Sequence, residues 1–253
     1  MSNQRIFASV RDGVAELQLN KPAKLNALDE EMLLEIERQF GTWEAEPSVS
    51  VVLLTSSSQR TFCVGADIEV LSRHTTESMQ AWEFLGNRVL DRIQDSPLVS
   101  IAAISGYAFG GGLTLAAACD FRVASEDAMF GQPEIDLGWV PGWGGVARLA
   151  RLIGMARAKD LCMTGRRVPA EYAQSAGLVD RLAPKAELRD AAQRFARELA
   201  GKEPQALRGI KALAAAGATG PAAHRFDALL NSSLLHNPKA QAAIAGFLER
   251  SKR

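Results

Sequence analysis

A nearly apolar run from Val99 to Cys119 constrains the fold of this chain more than any other sequence feature. The run is about long enough to cross a bilayer as a helix. However, Ser100, Ser105–Gly106 and the triplet Gly110–Gly112 divide it, and glycine is a poor helix former. The run therefore predicts a buried strand over 99–104, a turn at the serine and glycine, and a buried helix after the triplet, rather than a membrane span.

Comparable strand, turn and helix patterns recur on both sides of this run. Strands are predicted at Ile6–Val10, Val14–Leu19, Val49–Thr55, Phe121–Ala124 and Ala128–Phe130, and helices from Asp29 to about Glu46, over Thr76–Asp95 and from 142–145 to about Ile153. Buried strands that alternate with helices are typical of an α/β fold with a mainly parallel arrangement.

The pattern changes near Lys185, where four helices follow one another. They are predicted at 186–199, 204–216, 222–231 and 238–250, with glycines and prolines between them. We therefore predict a core with the functional site over residues 1–184 and a helical region over 185–253. The modest amphipathic faces of these helices suit packing on another subunit as well as on the core.

The composition excludes several function classes. Lys+Arg and Asp+Glu number 29 each, so the neutral chain lacks the basic surface of a nucleic-acid-binding protein. The three cysteines have no metal-site or disulfide spacing, and the N-terminus has no secretory signal, so we expect a cytoplasmic protein with free thiols. The segment GWGGVARL at 142–149 lacks the third glycine of a dinucleotide-binding loop, and no GxSxG or HExxH motif occurs.

Two glycine-containing turns remain as candidate chemical sites, Gly65–Asp67 and the triplet Gly110–Gly112. Backbone N–H groups at a helix start have no partner within the helix and lie at the positive end of its dipole. Two such turns facing each other could stabilise a developing oxyanion. Alternatively, the glycines only allow close packing of a strand against a helix. The residues alone leave both interpretations open.

Six segments follow one another along the chain: NKPAKLNAL at 20–28, FCVGADI at 62–68, ISGYAFGGG at 104–112, ACDFRVAS at 118–125, FGQPEIDLGWVPGWGG at 130–145 and LCMTGRRVPAEYAQSAGLVDRL at 161–182. In this order they resemble the enoyl-CoA hydratase/isomerase, or crotonase, superfamily. The resemblance implies a spiral of strand–strand–helix repeats, followed by a C-terminal helical region that forms a homotrimer or a dimer of trimers. It also implies an acyl-CoA substrate, with no metal and no cofactor beyond the coenzyme A of that substrate.

The resemblance also implies roles for individual residues. The N–H groups of Ala66 and Gly111 would hold the thioester oxygen, and Glu134 would be the acid/base group. Residues implied to bind the substrate or its CoA are Lys24, Asn26, Ala27, Gly65, Asp67, Ile68, Gly110, Pro133, Trp143, Phe247 and Arg250, the last two toward a neighbouring subunit.

The sequence departs from the hydratases of the superfamily at Thr114. Those enzymes carry a second glutamate there, and a threonine hydroxyl is not a general base near neutral pH. Thr114 would either bind a water or substrate group or bond its own helix backbone. Substitution of Thr114 by Glu is then expected to raise hydration.

Glu134 alone suffices for a double-bond shift, so we predict isomerisation of an enoyl-CoA. Hydration, and a hydratase–lyase reaction with a single glutamate, are the alternatives. Leu71 stands where the hydratase–lyases have a tyrosine, which weakens the hydratase–lyase hypothesis. Gly142 stands where dehalogenases and dienoyl-CoA isomerases have an aspartate, which weakens a dehalogenase or dienoyl-CoA isomerase hypothesis. A catalytically silent acyl-CoA-binding subunit is the non-enzymatic alternative. The rings of Trp139 and Trp143 would either reshape the acyl pocket or pack under their loop.

Overall fold

In the computed structural model, which describes residues 4–217 and 220–250, ten strands form two sheets. The strands are β1 (Ile6–Arg11), β2 (Val14–Leu19), β3 (Val51–Ser56), β4 (Thr61–Cys63), β5 (Val99–Ile104), β6 (Tyr107–Phe109), β7 (Phe121–Ser125), β8 (Met129–Gly131), β9 (Val168–Pro169) and β10 (Arg181–Ala183). The larger sheet has the order β1-β2-β3-β5-β7-β10 and the smaller sheet the order β4-β6-β8-β9. Apart from antiparallel β1 and β9, all pairings are parallel.

Helices cover the sheets and form the C-terminal part of the described chain. They are α1 (Glu30–Glu44), α2 (Ile68–Leu71), α3 (Thr76–Asp95), α4 (Gly111–Ala118), α5 (Gly145–Thr164), α6 (Ala170–Ser175), α7 (Leu188–Ala200), α8 (Pro204–Ala216), α9 (Pro221–Leu234) and α10 (Pro238–Arg250), with 3-10 turns at Pro22–Lys24, Pro133–Leu137 and Lys185–Glu187. Each of the pairs β3–β4, β5–β6 and β7–β8 puts one strand in each sheet before the chain enters a helix. This is the predicted spiral of strand–strand–helix repeats.

The central strands are apolar on both faces because helices cover both sides of the larger sheet. In β3, Val52 and Leu54 join the main core, whereas Val51 and Leu53 join a second cluster with Leu188 and other residues of α7. Burial on both faces is characteristic of parallel sheets. It explains why β3 and β5 read as continuous apolar runs rather than as alternating ones.

Several boundaries differ from the prediction. The strands of the smaller sheet were predicted only around 128–130, since three-residue strands carry little periodicity. The helix predicted to end at about Ile153 bends at Gly154, where φ is +78°, and continues to Thr164. Helix α7 packs on the larger sheet, so the helical region predicted to start at residue 185 begins with a helix of the core layer.

Helices α8, α9 and α10 carry apolar side chains on their exposed surfaces. These side chains are Ile210, Phe226, Leu229, Leu235, Ile244, Phe247 and Leu248, each at least 43% exposed. In the part of the chain that the structure describes, no helix is both long and apolar enough to cross a membrane.

Candidate active site

Three neighbouring strands of the smaller sheet deliver the predicted site residues to one place. Strands β4, β6 and β8 run parallel, so their carboxyl ends meet at the same edge. Ala66, Gly111 and Glu134 follow these three ends within three residues. All three residues line one cleft, whose empty volume of about 640 Å³ includes its open mouth. Ligands of parallel sheets commonly bind at the carboxyl ends of the strands.

The two glycine turns contact each other. Gly65 has a φ of +99°, and a Cβ on it would lie 2.9 Å from the Gly111 nitrogen. A Cβ on Gly112 would lie 2.2 Å from the carbonyl oxygen of Cys63, so Gly112 serves close packing of α4 against β4. Gly110 and Gly111 instead line the cleft. Close packing therefore explains Gly112, whereas an oxyanion role stays a prediction for the turn at Gly110 and Gly111.

Two backbone donors in this region form no hydrogen bond in the part of the chain that the structure describes. Helix α4 begins at Gly111, so the Gly111 N–H has no partner in its own helix. Around Ala66, the Leu28 N–H donates to the Gly65 carbonyl and the Asp67 N–H donates to the Leu28 carbonyl. Neither the Ala66 nor the Gly111 N–H donates a hydrogen bond within residues 4–217 and 220–250. Two free donors on adjacent turns can hold one oxyanion.

The carboxyl group of Glu134 lies over this region. A Cβ on Gly110 would lie 2.9 Å from Glu134 Oε1, so the absence of a side chain at Gly110 makes room for the acid. Burial raises the pKa of Glu134 to about 7, and the charge of Glu83 acts in the same direction. Glu134 is therefore populated in both protonation states near neutral pH, as an acid/base group requires.

Thr114 lies behind the cleft rather than in it. It is fully buried, and its Oγ1 lies 3.2 Å from the Gly110 carbonyl oxygen and 3.0 Å from the side-chain amide of Gln132. Hydrogen-bonding partners assign the Gln132 amide: its nitrogen donates to Gly110 O and to Glu134 Oε1, both at 3.1 Å, and its oxygen accepts from Thr114. Thr114 thus contacts the backbone and Gln132, and Gln132 contacts the Glu134 carboxyl group.

Trp143 occupies the space above Gly111. Trp143 is 2% exposed, and a Cβ on Gly111 would lie 2.6 Å from the Cζ3 atom of its indole ring. It also packs against Trp82 of α3 at a centroid distance of 5.2 Å, and a Cβ on Gly86 would lie 2.0 Å from its Nε1. Gly86 in mid-helix costs about 1 kcal/mol relative to alanine. This cost is explained by the space that the indole needs.

The rest of the cleft wall is mainly apolar. It is formed by Val64, Ile68, Leu71, Met79, Trp82, Pro133, Leu137, Trp139, Val140 and Trp143. An apolar cleft with a few polar groups at one end is typical of small-molecule sites. Leu71 ends α2, whereas Met79 and Trp82 belong to α3, and Trp82 lies in the hydrophobic core as well as in the cleft wall.

The predicted substrate-binding residues divide into two groups. Gly65, Ile68, Gly110, Pro133 and Trp143 line the cleft. Lys24, Asn26, Ala27, Asp67, Phe247 and Arg250 do not.

The side chains of Asn26 and Asp67 form hydrogen bonds within the chain. Asn26 is fully buried, and its side chain accepts from the Lys21 N–H and donates to Ser56 Oγ and to the Phe62 carbonyl. Asp67 caps α2 through the Glu69 N–H and accepts from Lys21 Nζ.

Lys24, Phe247 and Arg250 are on the surface. Lys24 Nζ lies 2.6 Å from Glu69, and Phe247 and Arg250 lie on the last described turns of α10. A role toward the CoA of a neighbouring subunit stays a prediction for Phe247 and Arg250. Binding of the substrate or its CoA likewise stays a prediction for Lys24, Asn26, Ala27 and Asp67.

Glu83 of α3 is a site residue that the sequence analysis missed. It lines the cleft, and its Oε2 accepts a hydrogen bond from the Trp143 N–H at 3.2 Å. In the sequence it is one of several charged residues on the polar side of an amphipathic helix, so no sequence signal distinguishes it. In the described part of the chain, no group of His, Cys, Asp and Glu side chains could hold a metal ion.

The spiral fold and a cleft with paired backbone donors and one raised-pKa carboxyl group define an enzyme of the crotonase type. The family model "Enoyl-CoA hydratase/isomerase" matches residues 9–253. The chain therefore belongs to the enoyl-CoA hydratase/isomerase family.

Individual relatives agree with this assignment. The chain is 38% identical over 195 residues to the short-chain-enoyl-CoA hydratase of Clostridium acetobutylicum, covering 77% of this chain and 75% of that protein. It is 37% identical to the crotonyl-CoA hydratase of Syntrophomonas wolfei, covering 86% and 84%. The crystal structure of an enoyl-CoA hydratase from Bacillus anthracis matches with a TM-score of 0.93 at 31% identity, covering 98% and 97%.

Proposed function

We propose that this enzyme isomerises the double bond of an enoyl-CoA through a thioester enolate. The observation that carries the proposal is the position of Glu134, whose carboxyl group lies against Gly110 beside the unpaired N–H groups of Ala66 and Gly111. Its raised pKa supports a role in which the same group removes and returns a proton.

In the proposed reaction, the Glu134 carboxylate takes a proton from C2 of a 3-enoyl-CoA. The electron pair of the broken C–H bond moves into the thioester, and the Ala66 and Gly111 N–H groups stabilise the negative oxygen. The Glu134 carboxylic acid then gives its proton to C4, and the double bond moves to C2–C3. The product is a 2-enoyl-CoA, and no co-reactant is consumed.

The surroundings of Thr114 support isomerisation over the usual two-glutamate hydration. The Thr114 hydroxyl donates to the Gln132 side-chain oxygen and lies beside the Gly110 carbonyl, and Trp143 covers the adjacent Gly111. Position 114 thus provides no second carboxylate. Hydration is the second candidate, favoured by the names of the two relatives above, which are both hydratases.

Turnover of 3-hexenoyl-CoA and crotonyl-CoA by the wild type and Glu134→Gln tests the proposal. We expect the wild type to convert 3-hexenoyl-CoA to its 2-enoyl isomer and Glu134→Gln to lose at least about 100-fold of that rate. Glu171→Gln, on the exposed surface of α6, is the matched control and should retain wild-type turnover. Equal rates for the wild type and Glu134→Gln would exclude Glu134 as the acid/base group.

The assembly and location are part of the same proposal. We place the protein in the cytoplasm as a homotrimer or a dimer of trimers, and the exposed apolar side chains of α8–α10 support the association of subunits. Sedimentation equilibrium would distinguish these two states from a monomer, and a monomer at micromolar concentration would contradict them.

A further inference from the structure

The cleft contains a second carboxyl group, which the proposed isomerisation does not use. Glu83 enters the cleft from α3, on the wall formed by Trp82 and Met79, whereas Glu134 follows β8. The two groups are close enough that the charge of Glu83 affects the proton affinity of Glu134. Two carboxyl groups therefore share one mainly apolar cleft.

The Glu83 carboxylate has no cationic partner. Among residues 4–217 and 220–250, no Lys, Arg or His forms an ion pair with it, and the one donor to it is the Trp143 N–H at 3.2 Å. The side chain is half-buried. A carboxylate has about four acceptor positions, so most of those of Glu83 remain available to a water molecule in the cleft.

Gly142 leaves room for this carboxylate. A Cβ on Gly142 would lie 2.7 Å from both Glu83 oxygens. The φ angle of Gly142 is outside the positive range, so the backbone alone does not require glycine there. Glycine at position 142 is therefore explained by the space that the Glu83 carboxylate occupies.

We infer that Glu83 is a water-activating base in this cleft and gives the enzyme a hydration activity that does not depend on Thr114. The inference rests on the proposed roles of Ala66, Gly111 and Glu134. Glu83 acts as a catalytic residue for water addition to a 2-enoyl-CoA, while Glu134 handles the proton at C2.

The hydration step balances as follows. Water transfers a proton to the Glu83 carboxylate as its oxygen bonds to C3, and the C2–C3 π electrons move into the thioester held by Ala66 and Gly111. The Glu134 carboxylic acid then protonates C2, which gives a 3-hydroxyacyl-CoA. Glu83 then releases its proton to solvent, and Glu134 takes up a proton from solvent. The net reaction is the addition of one water.

The test compares two reactions in three variants. Crotonyl-CoA hydration and 3-hexenoyl-CoA isomerisation, with products separated by chromatography, are measured in the wild type, Glu83→Gln and Glu77→Gln. Glutamine at position 83 keeps an oxygen that can accept from the Trp143 N–H, and Glu77 is an exposed glutamate of the same helix. We expect Glu83→Gln to lower hydration about 100-fold and isomerisation far less, and Glu77→Gln to change neither.

A second variant, Gly142→Ala, keeps the carboxyl group but displaces it. We expect a loss of hydration smaller than that of Glu83→Gln. Equal losses of both reactions in Glu83→Gln would reduce Glu83 to a support for the Trp143 loop, and an unchanged hydration rate would also overturn the inference. A wild type that isomerises but does not hydrate overturns the inference alone, whereas a wild type that hydrates but does not isomerise overturns the proposed function alone.

Discussion

Two pairs of acidic side chains near the Gly65–Asp67 turn differ in their partners. Asp29 and Asp67 lie 2.7 and 2.8 Å from the ammonium group of Lys21, and Arg5 also contacts Asp29. Glu134 and Glu83 line the cleft and form no ion pair within the described residues.

The difference in partners sets the proton affinity. Burial favours the neutral acid in Asp29, but hydrogen bonds from Lys21 and Arg5 outweigh it, and the pKa of Asp29 is lowered. Asp67 behaves likewise through Lys21. In Glu134 burial is not opposed by a cation, and the pKa rises to about 7. The first pair therefore holds the loops together as fixed charges, and the second pair contains a group that can exchange protons.

Placing another unpaired carboxyl group behind the cleft should have the largest effect. Thr114→Glu puts this carboxyl group at a fully buried position. The space there is narrow, because a Cβ on Gly145 would lie 2.9 Å from Thr114 Oγ1. Overpacking costs about 1–3 kcal/mol, and an unpaired buried polar group adds a similar amount. We expect a loss of roughly 4 kcal/mol in unfolding free energy and no gain in crotonyl-CoA hydration, contrary to the expectation from sequence alone.

Urea unfolding of Thr114→Glu, with Thr114→Ser as the matched variant, measures this effect. The serine keeps the hydroxyl and should cost about 1 kcal/mol for its lost methyl group. Wild-type stability together with faster hydration in Thr114→Glu would show that position 114 opens into the cleft.

Removing the cation of the first pair should have the next largest effect. Lys21→Met leaves two buried carboxylates without their shared ammonium group, whose side chain is 17% exposed. Breaking a buried pair costs about 3–5 kcal/mol, and we expect the lower end here because Asp29 keeps its contact with Arg5. Lys24→Met is the matched control, since its ion pair with Glu69 is 43% and 71% exposed and should contribute less than about 1 kcal/mol. Similar urea midpoints for the two variants would contradict a structural role of the Lys21 cluster.

The two pairs should affect the pH dependence of stability with opposite signs. The folded pKa of Glu134 lies above its ordinary value of 4.5, so its contribution is fully present below pH 4.5 and is lost as the pH rises through about 7. The unfolding free energy of Glu134→Gln should therefore increase relative to that of the wild type over this pH range, by on the order of 3 kcal/mol. For Asp29, with its lowered pKa, the contribution is present above 3.8 and is lost as the pH falls below it.

Unfolding free energies at pH 3 to 9 for the wild type, Glu134→Gln and Asp29→Asn provide the measurement. The Glu134→Gln difference should grow toward alkaline pH, and the Asp29→Asn penalty should shrink toward acid pH. Parallel curves for the wild type and Glu134→Gln would mean that Glu134 ionises as it does in water.

The smallest expected effect is on the rate of the proposed isomerisation. Glu134 must be ionised to take a proton from C2, so kcat/KM for 3-hexenoyl-CoA should rise with pH through about 7. Between pH 6 and 8 the increase should be about tenfold. A flat profile over this range would contradict the assignment of Glu134 as the base.

Much of the backbone could be predicted from the sequence. Asp29 caps α1 and Thr76–Asp95 forms one helix, as predicted, because capping residues and apolar periodicity are local signals. Of the smaller sheet, only the strand around 128–130 was predicted, because the formation of such short strands depends on their neighbours. The resemblance to the crotonase family identified Ala66, Gly111 and Glu134, and these residues do line one cleft.

The sequence by itself determined the family and the glycine turns, because the family's motifs occur in order along the chain. The strand–strand–helix order followed from that family resemblance. Only the tertiary structure decided which carboxyl groups meet a cation and which do not. It placed Thr114 behind the cleft and Glu83 inside it, although one stands in a recognisable motif and the other on an ordinary helix face. Burial and charge partners depend on what packs against a residue, and for Glu83 that neighbour is the Trp143 loop, some 60 residues further along the chain.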